Sequence, residues 1–158
     1  MKENKKFTLK EIEPTQECKE FIENSKGIFL SAEEDFRKDH EVLKPETYNF
    51  AKWFKQYKPE IPIKISQCEN IVDLRSDEIW LPLYFLATDI SLPLFLNFIY
   101  DYLKVMLRGS LAKDKPIAHL NVIYKEKDKF INVQYDGHIE GLKKINKIDI
   151  NKIFDIQN

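Results

Sequence analysis

Between Ile79 and Tyr100 run twenty-two residues whose only formal charge is Asp89. That is the length of a membrane span, so the block constrains the fold more than any other stretch. It must be hidden in the chain's own core, in a partner or in lipid. Asp89 near its centre costs about 2.5–3.5 kcal/mol on insertion scales, and Ser91, Pro93 and Asn97 add to the cost. The punctuation argues against one straight rod. Asp89-Ile90-Ser91-Leu92-Pro93 reads as the stop of one helix and the start of another, with Ser91 as N-cap and Pro93 in the first turn. Two buried segments meeting at a corner are expected, and membrane contact is disfavoured.

Composition agrees with a packed core. The chain has 158 residues, which suits one domain over 1–158 with residues 1–12 as a loose or edge segment. Hydrophobic residues make up 43%, aromatics 13%, and there are only 4 glycines, which excludes disorder. Lys plus Arg is 25 against 26 for Asp plus Glu, so a strongly basic nucleic-acid binder is disfavoured. Cys18 and Cys68 lie in no ligand spacing, so two reduced thiols are expected. The charged start, Met1 to Lys6, leads into no apolar run of the secretory kind, and the expected location is the cytoplasm.

Periodicity places the elements. Pro14-Thr15 opens a short helix to about Ser25 carrying Cys18, Phe21 and Ile22 on one face, and Gly27 stops it. Ser31 to Glu34 has capping-box spacing and predicts a turn of helix. Pro45 opens a stronger helix to Tyr57, with Phe50, Trp53, Phe54 and Tyr57 in a stripe. Ile61, Ile63 and Ile65 alternate as in a strand, and Ile71 to Arg75 suggests another. A helix runs from Leu92 to Arg108. Residues 117–136 form the clearest hairpin, turning at Glu126 to Lys129, and a last helix follows Asp136-Gly137. The order predicts an α+β fold: a small antiparallel or mixed sheet packed by helices, one of them strongly apolar.

Chemistry is sparse. Neither a zinc-protease helix motif, a nucleophile elbow nor a glycine-rich phosphate loop occurs, so no cofactor and no metal are expected. His119 and His138 are spaced to meet across the base of the hairpin, but a metal pair there needs a third ligand. The enzymatic alternative is a small metal-dependent nuclease or hydrolase using Asp73, Asp77 and His119. Tyr124, Phe130 and Tyr135 on the hairpin invite base stacking, although cross-strand packing explains them as well. Apolar surface left over near Trp80, Leu81, Tyr84 and Phe85, together with parts of the 92–106 helix, would serve a protein partner or a second copy of the chain.

The layout of residues 79–150, an apolar helix, a polar linker, a hairpin and an Asp-Gly-opened helix, resembles the effector-associated constant component modules of bacterial conflict systems. The resemblance lies in the order of elements and rests on no motif. It implies a non-catalytic module coupling to an effector, and it supplies no catalytic residue to carry over. The expected function is a binding or regulatory component of a bacterial defence or toxin–immunity type system. The alternatives are the hydrolase and a membrane-associated accessory protein.

Overall fold

The computed structural model describes residues 6–35, 40–42, 44, 46–68, 78–107 and 117–145. The chain opens with strand β1 (Lys6–Ile12), helix α1 (Gln16–Asn24) and strand β2 (Ile28–Ser31). Short strands β3 (Glu33–Asp35) and β4 (His40–Val42) follow, then helix α2 (Glu46–Tyr57) and strands β5 (Ile63–Ile65) and β6 (Ile79–Leu86). Helix α3 (Leu92–Met106), strands β7 (Ile117–Glu126) and β8 (Lys129–His138), and helix α4 (Ile139–Ile145) complete it. A six-stranded mixed sheet runs in the order β1-β8-β7-β6-β2-β5, with β6 parallel to β7 and β2 parallel to β5. The fold is α+β.

Alternation along the strands divides the sheet into two faces. One face carries Leu9, Ile28, Leu30, Leu81, Tyr84, Leu86, Ala118, Leu120, Val122, Ile131, Val133 and Tyr135, packed with Phe50 and Phe54 of α2, Phe95, Leu96 and Ile99 of α3, and Leu142 of α4. Phe50 is the centre of an aromatic cluster, 5.2 Å from the ring centroids of both Tyr84 and Tyr102. The opposite face is only half covered. There α1 lays Cys18, Phe21 and Ile22 on Phe29, Phe85 and Phe130. Burial raises the Cys18 thiol pKa to about 12, with a smaller push from the Glu17 charge.

The helices begin where side chains can cap them. Thr15 accepts the Cys18 amide at 3.2 Å, and Ser91 accepts the Leu94 amide at 3.3 Å. Asp89 acts as a tie: its Oδ1 accepts the Gly27 amide at 3.0 Å, fastening the corner after β6 to the entry of β2. Gly27 sits at φ 86, where its own carbonyl also accepts the Ala87 amide at 3.0 Å. The corner thus holds the block's single charge at the surface, while Leu86, Ala87 and Ile90 around it are buried.

Two expectations change. The first half of the apolar block is strand β6, not helix. A strand buried on both faces shows no alternation, so the pattern could not separate the two. Pro82 fits within it because the β6–β7 register shifts between Trp80 and Leu83, a bulge where a missing amide is tolerated. Glu33–Asp35 is a strand paired with His40–Val42 instead of a helical turn, since no apolar stripe follows the capping spacing to anchor a helix. The predicted strand at 71–75 lies outside the described residues. Among the described residues, no helix is long and apolar enough to cross a membrane.

Candidate functional site

Beyond the reach of α1, the half-covered face is polar. The two-residue turn at Lys127-Asp128 sets the hairpin register, which pairs His119 with Asp136, Asn121 with Gln134 and Ile123 with Asn132. The parallel neighbour β6 brings Trp80 beside His119. On the far side β1 places Thr8 against Gln134 and Lys10 against Asn132. Side chains that share this face therefore form a row of amides running into an imidazole and an indole.

His119 is the pivot. Its Nδ1 lies 2.5 Å from Asp136 Oδ1, and its Nε2 meets Glu78 Oε1. Both nitrogens donate at once only when each carries a proton, so the arrangement suits an imidazolium bracketed by two carboxylates. The His119 side chain is 18% exposed, against 42% for Asp136 and 41% for Glu78, so the carboxylates keep contact with solvent. Trp80 stacks on the imidazole with ring centroids 3.7 Å apart and planes 12° from parallel. Lys44 places its ammonium over the same indole, 5.7 Å from the ring centre. Asn132 donates to Asn121 Oδ1 at 2.5 Å and to the Val122 carbonyl at 3.2 Å, which fixes the amide row.

These groups line a cleft of about 200 Å³ formed by Lys44, Trp80, His119, Asn121, Gln134 and Asp136 with the edges of Leu81 and Leu120. Both ring nitrogens of His119 are engaged by carboxylates at its rim. Among the described residues, no group of three or more His, Cys, Asp and Glu has the arrangement to hold a metal ion.

The residues singled out from the sequence fall in different places. Of the four assigned to a partner surface, Trp80 lies in the cleft. Leu81 and Tyr84 point into the helix-covered core at 1% and 0% exposure, and Phe85 lies under α1 at 4%. Strand alternation separates them, so they do not form one accessible patch. Asp73 and Asp77 lie outside the described residues. His119 meets Glu78, the residue that follows Asp77 in the chain. His119 and His138 do not oppose each other: His119 faces Asp136, while His138 faces Ile117. The hairpin aromatics form no stacking platform, because Tyr124, Phe130 and Tyr135 are exposed by only 6%, 8% and 1%.

Sequence reasoning missed Lys44, Asn121, Gln134 and Asp136. A signal for part of this set was present. A two-residue turn centred on Lys127-Asp128 pairs any two hairpin positions equidistant from it, which places His119 opposite Asp136 and Asn121 opposite Gln134. The contribution of Trp80 depends on parallel pairing across α3, which no local pattern encodes. No family model matches the chain, and neither a curated protein nor a solved structure matches it.

Proposed function

We propose that the chain is a non-catalytic binding module, a protein–protein interaction component of a bacterial defence or toxin–immunity type system. Its recognition surface is the open half of the sheet around Trp80, His119, Asn121, Gln134 and Asp136. The observation that carries this reading is the unequal covering of the sheet. One face is sealed by three helices, while the other leaves a prearranged polar row uncovered beside α1. A face of fixed, half-exposed polar groups around one aromatic ring has the composition of a partner-binding surface. The layout resemblance of residues 79–150 points to the same class.

The test compares complexes formed by three proteins: the wild type, Gln134→Arg on the exposed cleft wall, and Lys52→Ala on an exposed position of α2. Capture from lysate of the source cells, with sedimentation of the chain alone, reads both a foreign partner and self-association. A complex that is lost in Gln134→Arg and kept in Lys52→Ala supports the reading. A compact monomer that captures nothing, or a complex indifferent to Gln134→Arg, refutes it.

A second reading, the metal-dependent hydrolase, draws on the contact that brings His119 to Glu78, at the end of the segment carrying Asp73 and Asp77. Nucleic-acid cleavage in Mn²⁺ that disappears in His119→Ala would replace the binding reading with this one.

A further inference from the structure

We propose that the chain pairs with a second copy of itself along the outer edge of β1, antiparallel and centred on Leu9, so that two sheets join into one. This rests on the reading of the open sheet face as a binding surface, and it names the partner that reaches that face. β1 ends the sheet, with β8 as its one neighbouring strand among the described residues. The hairpin fixes which of its backbone groups are spent. Glu126 and Lys129 flank the two-residue turn as a hydrogen-bonded pair, and counting by twos along β8 turns Phe130, Asn132, Gln134 and Asp136 toward β1. Lys6, Thr8, Lys10 and Ile12 therefore bond to β8. The amides and carbonyls of Phe7, Leu9 and Glu11 point out of the sheet and make no other backbone bond among the described residues.

Shortness, a proline, a bulge or a covering element ordinarily guards such an edge. β1 has 7 residues, no proline, and an unbroken register with β8, whereas β5 at the other edge has only 3 residues. What remains is charge, and the charge selects a register. Centring on Leu9 overlaps the whole strand and sets Thr8 against Lys10 and Phe7 against Glu11, with no like charges opposed. A slip of two residues, which keeps each side chain on its face, opposes Lys10 to Lys6 in one direction and to its own copy in the other. The two-fold axis at Leu9 stands perpendicular to the sheet, so both open faces lie on one side. There Lys10 of the second copy comes opposite Thr8, and Gln134 is the next residue across, at two strand spacings or about 10 Å. Both are long and exposed, and over the short Thr8 the ammonium reaches the Gln134 amide carbonyl as a donor.

The experiment measures sedimentation of the purified full chain from about 1 to 300 μM, the range suited to a small interface, with amide hydrogen exchange read by NMR at both ends. A dimer is expected to form with concentration. Where about nine-tenths of the chain is dimer, the Leu9 and Glu11 amides should exchange about tenfold more slowly, while those of Thr8 and Lys10, already bonded to β8, change little. Glu11→Pro removes an outward amide at an exposed position and should weaken the dimer about tenfold, a hydrogen bond lost twice over. Glu11→Ala keeps the amide and should keep the dimer. Thr8→Lys opposes two cations and should weaken it by a similar factor, which decides the matter if circular dichroism shows Glu11→Pro unfolded. Gln134→Arg should weaken it as well, since it exchanges an acceptor for a charge like that of Lys10.

A monomer across the whole range, with a foreign complex still lost in Gln134→Arg, refutes the second copy and keeps the open face as the binding surface. A dimer lost in Gln134→Arg whose Leu9 and Glu11 amides stay unprotected is held by the faces, and it overturns the edge. A dimer weakened by Glu11→Pro or Thr8→Lys yet indifferent to Gln134→Arg keeps the edge and refutes the open face as its binding surface. A monomer with no complex refutes both.

Discussion

Replacing Gly27 by alanine tests the corner that closes the apolar block. At φ 86 an L side chain is strained, at about 1–2 kcal/mol. Space is lacking as well. A Cβ built on Gly27 falls 1.9 Å from the Pro62 carbonyl oxygen and 2.8 Å from its carbon, both backbone atoms without a rotamer to yield. Relief requires the entry to β5 to move off, which stretches the 3.0 Å bond donated by the Ile28 amide to that same oxygen. Ile28 is fully buried, so a stranded donor there costs a further 1–3 kcal/mol, roughly. Alanine also stiffens the unfolded chain, which offsets about 0.4–1 kcal/mol. The net expectation is a loss of about 2–4 kcal/mol, a large part of the 5–15 kcal/mol that holds a typical domain together. Urea unfolding followed by tryptophan fluorescence, with linear extrapolation, measures it. Ser25→Ala, at an exposed position two residues earlier, serves as control and should stay within about 0.5 kcal/mol of wild type. If Gly27→Ala lost less than about 1 kcal/mol with an unchanged slope, the claim that only glycine fits this corner would be wrong.

Gly141→Ala probes the joint between β8 and α4, because its Cβ would lie 1.8 Å from the Tyr135 hydroxyl oxygen, which donates to the His138 carbonyl. It should cost about 1–3 kcal/mol, and adding Tyr135→Phe should recover part of that loss in a double-mutant cycle. Strict additivity would show that the two residues do not collide. Stability should also fall in alkali. The Cys18 and Tyr124 pKa values rise to about 12 through burial first, with the Glu17 and Glu126 charges adding, and burial likewise raises those of Tyr84 and Tyr102. Each folded pKa exceeds its unfolded value, so the contribution is complete below about pH 8.5 for the thiol and 10 for the phenols, and is lost as pH climbs toward 12. A urea midpoint that stays flat from about pH 8.5 to 11.5 would contradict this.

How far the sequence could be read depended on the range of the signal. Ser91 caps as expected, and Thr15 caps the helix that the sequence opens at Pro14-Thr15, because a cap acts on the next three residues. The hairpin was legible because Ala118, Leu120, Val122 and Tyr124 alternate with polar neighbours and a short turn joins the strands. β6 was not, since most of its positions are apolar and both sides of the strand are buried. The candidate site was the least legible, because its bonds span long separations. Glu78 reaches His119 from 41 residues away, and Lys44 comes from the approach to α2. Such pairs are products of tertiary packing and leave no periodic trace.

The irregularity at Pro82 has a consequence for how the cleft is inherited. Three steps along β6, from Trp80 to Leu83, match two along β7, from His119 to Asn121. That one surplus residue brings Trp80 out beside the imidazole while Tyr84 still turns inward. In a regular strand without that surplus residue's kink, Trp80 and Tyr84, four positions apart, would share one face. The indole's outward position is thus written in the spacing of the chain, and a comparison that aligned residue types while ignoring gaps would overlook it.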